Sequence, residues 1–298
     1  MIKVLANLVL ITGAKGQVGT ELVKATPAGF TVLGFGSDQL DITNKQQVAA
    51  VIALHQPNLI MNAAAYTAVD KAESDVEQAF AINEQGVAWL AQAAQTADIP
   101  LFHISTDYVF DGNAASPYTE ADPVNPQGVY GASKLAGEQV LAKTHSKHII
   151  LRTSWVFGAE GSNFVKTMLR LGKERDQLAV VADQQGCPTS AASIAQALWQ
   201  LAKVYKQQNS LPWGVYNFCN ATASNWHAFA LEVFKQGLVL NLISKLPEVK
   251  SITTADYPTP AKRPAWSVLD TNKIEALLGY QVPSWNVELA SVLQQLKD

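Results

Sequence analysis

The chain has 298 residues, 48% of them hydrophobic and 16% charged, and its 22 Lys and Arg against 25 Asp and Glu leave a net charge of −3. Such a length makes one large domain or two closely joined ones around a sizeable core. The charge balance argues against binding to a nucleic-acid backbone, and no apolar run approaches the ~20 residues needed to span a bilayer. Cys187 and Cys219 form neither a disulfide framework nor a CxxC metal site, and read as free buried thiols in a reducing cytosol.

Val4 to Thr12 is apolar and follows a lysine, as in a short signal peptide. The run flows directly into a glycine-rich turn that needs a strand in front of it, so Leu8-Val9-Leu10-Ile11 reads as a buried parallel strand and the protein as soluble and cytoplasmic. Thr12-Gly13-Ala14-Lys15-Gly16-Gln17-Val18-Gly19 comes next, with a helical pattern over Thr20 to Ala25. Strand, Gly-x-x-Gly-x-x-Gly and helix in register is the context of a dinucleotide-binding turn. Gly13 allows the tight turn, Gly16 the approach of a pyrophosphate and Gly19 the packing of helix on strand, with the helix N-terminus facing the phosphates.

The second strand is Thr31 to Phe35. Gly34-Phe35-Gly36-Ser37 offers neither the acid that binds a ribose 2′-hydroxyl nor an arginine for a 2′-phosphate, which leaves NADPH or NADH open. Asp38 reads as solvated, and Leu40-Asp41-Ile42-Thr43 as the start of a helix capped by Asp41 or Thr43. Asn58 to Asn62 is another buried strand, followed by Ala63-Ala64-Ala65, small residues at the carboxyl end where a flat cofactor can pass. Val87, Leu90, Ala91 and Ala94 give the next helix its core face. The strand from Leu101 ends in Ser105-Thr106, adjacent hydroxyls placed to hold a substrate oxygen or to cap a turn, while His103 within it reads as a satisfied core histidine.

Tyr130 and Lys134 lie one helical turn apart on one face. A phenol has a pKa of about 10, a nearby ammonium lowers it, and the pair can then exchange a proton with a substrate oxygen. On spacing alone a half-buried tyrosine beside a solvated lysine is the commoner outcome. The βαβαβαβ order that precedes the pair, with hydroxyls closing one strand, reverses those odds. After a strand at His148 to Thr153 come helices at Phe164 to Leu171, Ala191 to Tyr205 and Asn225 to Gly237, short strands near Leu178-Val181 and Val215-Phe218, and a Pro-rich loop from Tyr257 to Pro264.

With Gly16-Gln17-Val18-Gly19, Asn62-Ala63-Ala64-Ala65-Tyr66-Thr67-Ala68-Val69-Asp70, Ile104-Ser105-Thr106-Asp107-Tyr108-Val109-Phe110-Asp111-Gly112, Arg152-Thr153-Ser154-Trp155-Val156-Phe157-Gly158, Gly186-Cys187-Pro188-Thr189 and Arg263-Pro264-x-x-Ser267 in view, the chain resembles the extended short-chain dehydrogenase/reductases. Within them it is similar to the dTDP-4-dehydrorhamnose reductase family. The resemblance implies an α/β fold: a Rossmann-type doubly wound parallel sheet with a smaller, interleaved C-terminal substrate domain. Residues 1–155 would be the dinucleotide-binding domain, with 178–207 returning to it, and 156–298 mainly the substrate-binding domain.

The resemblance also implies roles. Thr106, Tyr130 and Lys134 would be catalytic. Gly13, Gly16, Gln17, Val18, Gly19, Asp41, Ile42, Ala63, Ala64, Ala65, Tyr130 and Lys134 would contact the cofactor. Thr106, Asp107, Trp155, Asn163 and Arg263 would hold a dTDP-sugar, Arg263 (with Lys262) through the diphosphate. Reduced nicotinamide would deliver hydride to C4 of the keto sugar while Tyr130 protonates the oxygen. Some members dimerise through magnesium held by glutamates; Glu21 matches one position, but Ala192 and Gln294 or Gln295 stand at the others, so no such metal site is expected and a homodimer remains the assembly to test. The alternatives are another nucleotide-sugar reductase or epimerase, or a non-catalytic NADP-binding regulatory subunit.

Overall fold

The computed structural model describes residues 7–298, so the start of the apolar run at Val4 lies outside the described residues. Its first half alternates strands and helices: β1 Leu8–Thr12, α1 Gln17–Lys24, β2 Thr31–Phe35, α2 Lys45–His55, β3 Leu59–Asn62, α3 Val69–Ala72, α4 Val76–Phe80, a π-helical turn Ala81–Gly86, α5 Val87–Ala97, β4 Leu101–Thr106, α6 Val129–Thr144 and β5 His148–Thr153. Then follow β6 Val156–Phe157, α7 Phe164–Glu174, β7 Gln177–Val181, β8 Gln185–Gly186, β9 Thr189–Ser190, α8 Ala191–Gln208, β10 Gly214–Asn217, β11 Ser224–Asn225, α9 Trp226–Val239, β12 Glu248–Ile252, α10 Asn272–Leu278 and α11 Trp285–Lys297.

Six strands make one parallel sheet in the order β10-β5-β4-β3-β1-β2. The chain runs outward from β1 to β2 and then back to β3 on the other side of β1. This reversal creates a crevice at the carboxyl ends of β1 and β3, where open α/β sheets bind ligands. Strand alternation feeds two hydrophobic layers. Val9, Ile11, Met61 and Phe102 pack on one side with Leu22 of α1 and Ile194 and Leu198 of α8. Leu10, Ile60 and Leu101 pack on the other with Ile52 of α2, Leu90 of α5 and Leu141 of α6. Parallel strands buried on both faces account for the unbroken apolar runs in the sequence.

A further core gathers Phe157, Val165, Leu169, Phe229, Val233, Trp285 and Leu289 from α7, α9, α11 and their neighbours. Strand β7 pairs with β12 beside it, while α8 lies in the first core and β10 extends the large sheet. The helix expected from Leu40 begins instead at Lys45, because Asn44 caps it by accepting from Gln47 N at 3.1 Å. Asp41 closes the preceding turn, accepting from the N–H and hydroxyl of Thr43, and Ile42 is buried in the core. The first helix likewise starts at Gln17, three residues before the expected Thr20. None of the described helices is long and apolar enough to cross a membrane.

Candidate active site

The glycine-rich turn is shaped by steric need. Gly13 has φ 66°, and a Cβ there would lie 2.5 Å from Ala64 N; one at Gly19 would lie 2.0 Å from Gly13 O. The turn therefore presses against the Ala63-Ala64-Ala65 segment and seats α1 on β1, bringing together the two segments predicted to bind cofactor. At Gly16 an added side chain would meet only Gly13 O, at 3.3 Å, so the turn is open above it. Gly16 is also the N-cap of α1 and supplies no side chain to satisfy the helix N–H groups. An open turn, free N–H donors and the positive end of a helix suit a dinucleotide pyrophosphate. The tip of β2 carries an exposed ion pair between Lys15 and Asp38 at 2.7 Å, where Asp38 alone was expected to be solvated; Lys15 holds the Asp38 carboxyl below its ordinary pKa.

Across the crevice, Thr106 ends β4 and α6 presents Tyr130 and Lys134. Helix α6 has no side-chain cap of its own at Gly128; Glu73 accepts from Val129 N at 2.9 Å and ties its first turn to the segment after α3. Asn83, in the π-helical turn, bonds both the N–H and the carbonyl of Tyr66 and also Ser133 Oγ of α6. The loop after β3 and the helix carrying Tyr130 are thus fixed to one another. Tyr108 meets the Tyr130 ring edge-on at a centroid distance of 5.5 Å. Ser105 points to the opposite face of the sheet from Thr106 and is buried with no partner for its hydroxyl.

Burial pushes the Tyr130 phenol above its ordinary pKa, the Thr106 hydroxyl pulls it down, and Asp107 and Tyr108 raise it further. The expected lowering by Lys134 is corrected. The Lys134 amine donates to Ile104 O at 2.6 Å and lies 3.3 Å from His103 Nε2, so its charge is held by β4. Burial brings the Lys134 pKa down to about 8, against a raising influence from Glu138 one turn on. Glu138 is itself gripped by Arg152 of β5, at 3.0 Å from Nε and 2.7 Å from Nη2, in a pair that is almost wholly buried. Asp107 is 2% exposed; Thr106 donates to its Oδ1 at 2.9 Å, and its Oδ2 has no partner. Burial pushes its carboxyl up to about 6, with the Ser267 and Thr106 hydroxyls opposing the rise.

The predicted substrate residues fall around this centre in different ways. Trp155 follows β5 with φ 47°, a left-handed conformation that is strained for a bulky side chain, and stacks on Trp226 with centroids 3.6 Å apart and planes 8° apart. Asn163 caps α7 by accepting from Lys166 N, and its Nδ2 donates to Gln17 Oε1 at 2.9 Å, which links α7 to the glycine turn. Arg263 donates to Asp70 at 2.6 Å and to the Tyr108 hydroxyl at 3.3 Å, while Lys262 reaches Gln127. Arg263 is therefore at the mouth of the site but bound to a carboxylate. A cleft of about 90 Å³ opens there between Tyr108, Gln127, Gly128, Arg263 and Pro264.

Sequence reasoning missed Asp70, Asn83, Tyr108 and Trp226. Tyr108 and Asp70 stand inside the segments already singled out, but Trp226 carried no local signal. Both cysteines are free and buried, as expected, in a cluster with Phe110, Tyr118 and Leu269.

Comparison with known proteins agrees with this arrangement. Residues 7–298 match the family model described as RmlD substrate binding domain. The chain is 46% identical over 285 residues to the dTDP-4-dehydrorhamnose reductase of Aggregatibacter actinomycetemcomitans, covering 95% of this chain and 97% of the relative. It is 42% identical over 276 residues to the dTDP-4-dehydrorhamnose reductase of Sinorhizobium fredii, covering 92% and 93%. Among solved structures it resembles dTDP-4-dehydrorhamnose reductase from Bacillus anthracis in complex with NADP, with a TM-score of 0.90, 37% identity, and 97% and 99% of the two chains covered. A match along nearly the whole length, on the doubly wound sheet just described, places this chain in the RmlD substrate binding domain family.

Proposed function

We propose that this chain is an oxidoreductase that reduces the C4 keto group of dTDP-4-dehydro-L-rhamnose to give dTDP-L-rhamnose, with NADPH or NADH as hydride donor. The observation that carries the reading is that Thr106 ends β4 while α6 is docked on that strand, Lys134 bonding Ile104 O and the Tyr130 ring meeting Tyr108, beside a nucleotide-binding turn, in a chain 46% identical to a reductase of that name. When bound, the reduced nicotinamide supplies the hydride, and its oxidised form adds a positive charge that favours the Tyr130 phenolate. Tyr130, kept protonated by its burial, gives its proton to the developing alkoxide. Thr106 holds the same oxygen. Asp107 presents its unpartnered Oδ2 to sugar hydroxyls, and the indole of Trp155 packs on the nucleotide sugar. Lys134 anchors the nicotinamide ribose. The residues of the glycine turn and Ala63 to Ala65 support cofactor binding through the cradle they form. Arg263 binds the diphosphate after leaving Asp70.

The two-unit division belongs to the same reading: 1–155 with a return across 178–207 for the dinucleotide, and 156–298 mainly for the sugar. The place of α8 in the first core supports the return. The enzyme acts in the cytoplasm, and a homodimer is testable by sedimentation. The deciding experiment offers the purified protein a panel of 4-keto sugar nucleotides with each reduced cofactor and follows the absorbance of the nicotinamide. Oxidation that depends on dTDP-4-dehydro-L-rhamnose supports the reading; cofactor binding without turnover on any keto sugar refutes it.

A further inference from the structure

One buried polar chain takes no part in the steps above. Thr12, Asn62 and His103 occupy matched positions on the adjacent strands β1, β3 and β4, on the face that α6 covers. Each touches the next. Thr12 Oγ1 donates to Asn62 Oδ1 at 2.6 Å, Asn62 Nδ2 meets His103 Nδ1 at 2.9 Å, and His103 Nε2 lies 3.3 Å from Lys134 Nζ. All four side chains are buried.

The direction of these bonds is fixed by the backbone. Asn62 Oδ1 also accepts from the Ala64 N–H at 3.1 Å, and a reversed amide would set two donors against each other there. Asn62 must therefore donate to His103. With Nδ1 as the acceptor, the neutral ring carries its proton on Nε2. A second proton on Nδ1 would face the Asn62 amide hydrogens, so the ring stays neutral.

The Nε2–H bond then points at the Lys134 amine. Opposite an ammonium it faces a second donor; opposite a neutral amine it finds a lone pair. The Ile104 carbonyl, 2.6 Å away, accepts an amine hydrogen in either state. Of the other ionisable groups around Lys134, Tyr130 and Glu138 lie on its own helix, Arg152 of β5 holds the Glu138 carboxylate, and Asp107 follows β4. Among the described residues no titratable side chain except His103 is hydrogen-bonded to Nζ.

We propose that His103 is a positioning residue that stabilises the neutral form of Lys134, so that the lysine can release a proton during turnover and remain hydrogen-bonded. The inference rests on the reductase reading. When one N–H bond of the Lys134 ammonium breaks and its proton passes to a solvent base, the lone pair left on Nζ accepts from His103 Nε2–H. Water later returns a proton to Lys134.

Two variants and one spectroscopic measurement test this. His103→Gln can turn its amide oxygen toward the amine. Asn62→Asp accepts from both the Ala64 N–H and a proton on Nδ1, which leaves a bare Nε2 to accept from an ammonium. In each, the alkaline limb of kcat against pH moves upward by about one pH unit, the scale of one hydrogen bond changing sides. Nitrogen-15 spectra of the wild-type enzyme show an Nε2-protonated ring that does not titrate, and in Asn62→Asp the proton moves to Nδ1. A wild-type ring protonated on Nδ1, or variants whose kcat falls with no movement of the limb, overturns the proposal. The spectra need no turnover, so that failure is distinct from a wild-type enzyme inactive on the keto sugar, which would overturn the reductase reading instead.

Discussion

Replacing Asp107 with asparagine should stabilise the folded protein in neutral and alkaline solution while impairing its chemistry. The Asp107 carboxyl is raised from 3.8 to about 6 by burial. A group whose pKa is higher folded than unfolded favours the folded state at low pH, and that contribution disappears as pH rises through the folded value. At about 1.4 kcal/mol per pH unit, ionising Asp107 in its buried site costs the fold about 3 kcal/mol above pH 6. The Asp107→Asn side chain would keep an oxygen to accept from Thr106 and place an amide where Oδ2 now lacks a partner, near the Ser267 hydroxyl. An unsatisfied amide hydrogen offsets part of the gain, leaving roughly 1–3 kcal/mol. Urea unfolding at a series of pH values measures the difference directly. The variant and wild type should be close in stability below about pH 4, and the variant should pull ahead between about pH 4 and 7, with no further gain at higher pH. A difference that does not grow with pH, or a variant less stable than wild type at pH 8, would refute the buried-carboxylate argument.

Tyr130→Phe should lower kcat by about 10²–10⁴-fold with little change in cofactor affinity, as expected for loss of a general acid, and single-turnover oxidation of NADPH reads this out. Glu138→Gln leaves the Arg152 guanidinium buried without its partner and should destabilise the protein by about 3–5 kcal/mol in urea unfolding. Gly19→Ala drives a Cβ to 2.0 Å from Gly13 O, so α1 must shift away from the turn; NADPH binding followed by nicotinamide fluorescence should be abolished, and an unchanged Kd would contradict the close-packing role.

The parts of this molecule legible in its sequence are those governed by neighbours along the chain. The buried strands announce themselves by unbroken apolar runs, and the glycine turn by its spacing between a strand and a helix. The Tyr130–Lys134 spacing was equally plain. Its electrostatics were not, because the carbonyl that holds Lys134 belongs to Ile104, thirty residues earlier. Arg263 looked free for a diphosphate because Asp70, 193 positions away, meets it only once the Pro-rich loop folds back. His103 seemed an ordinary core residue, since its contacts depend on which strands lie side by side and in what register. The helix start misplaced to Leu40 shows a local failure: Asp41 is a good cap, but Thr43 consumed its carboxylate and left Asn44 to begin α2.

The indole pair of Trp155 and Trp226 joins the segment just after β5 to the first residue of α9. Rings this close share their electronic excitation, and wherever their transition dipoles are skewed in the stack the ultraviolet dichroism splits into a couplet of opposite signs. The protein thus carries a native optical gauge of the contact between the segment after β5 and α9, readable without attaching any label.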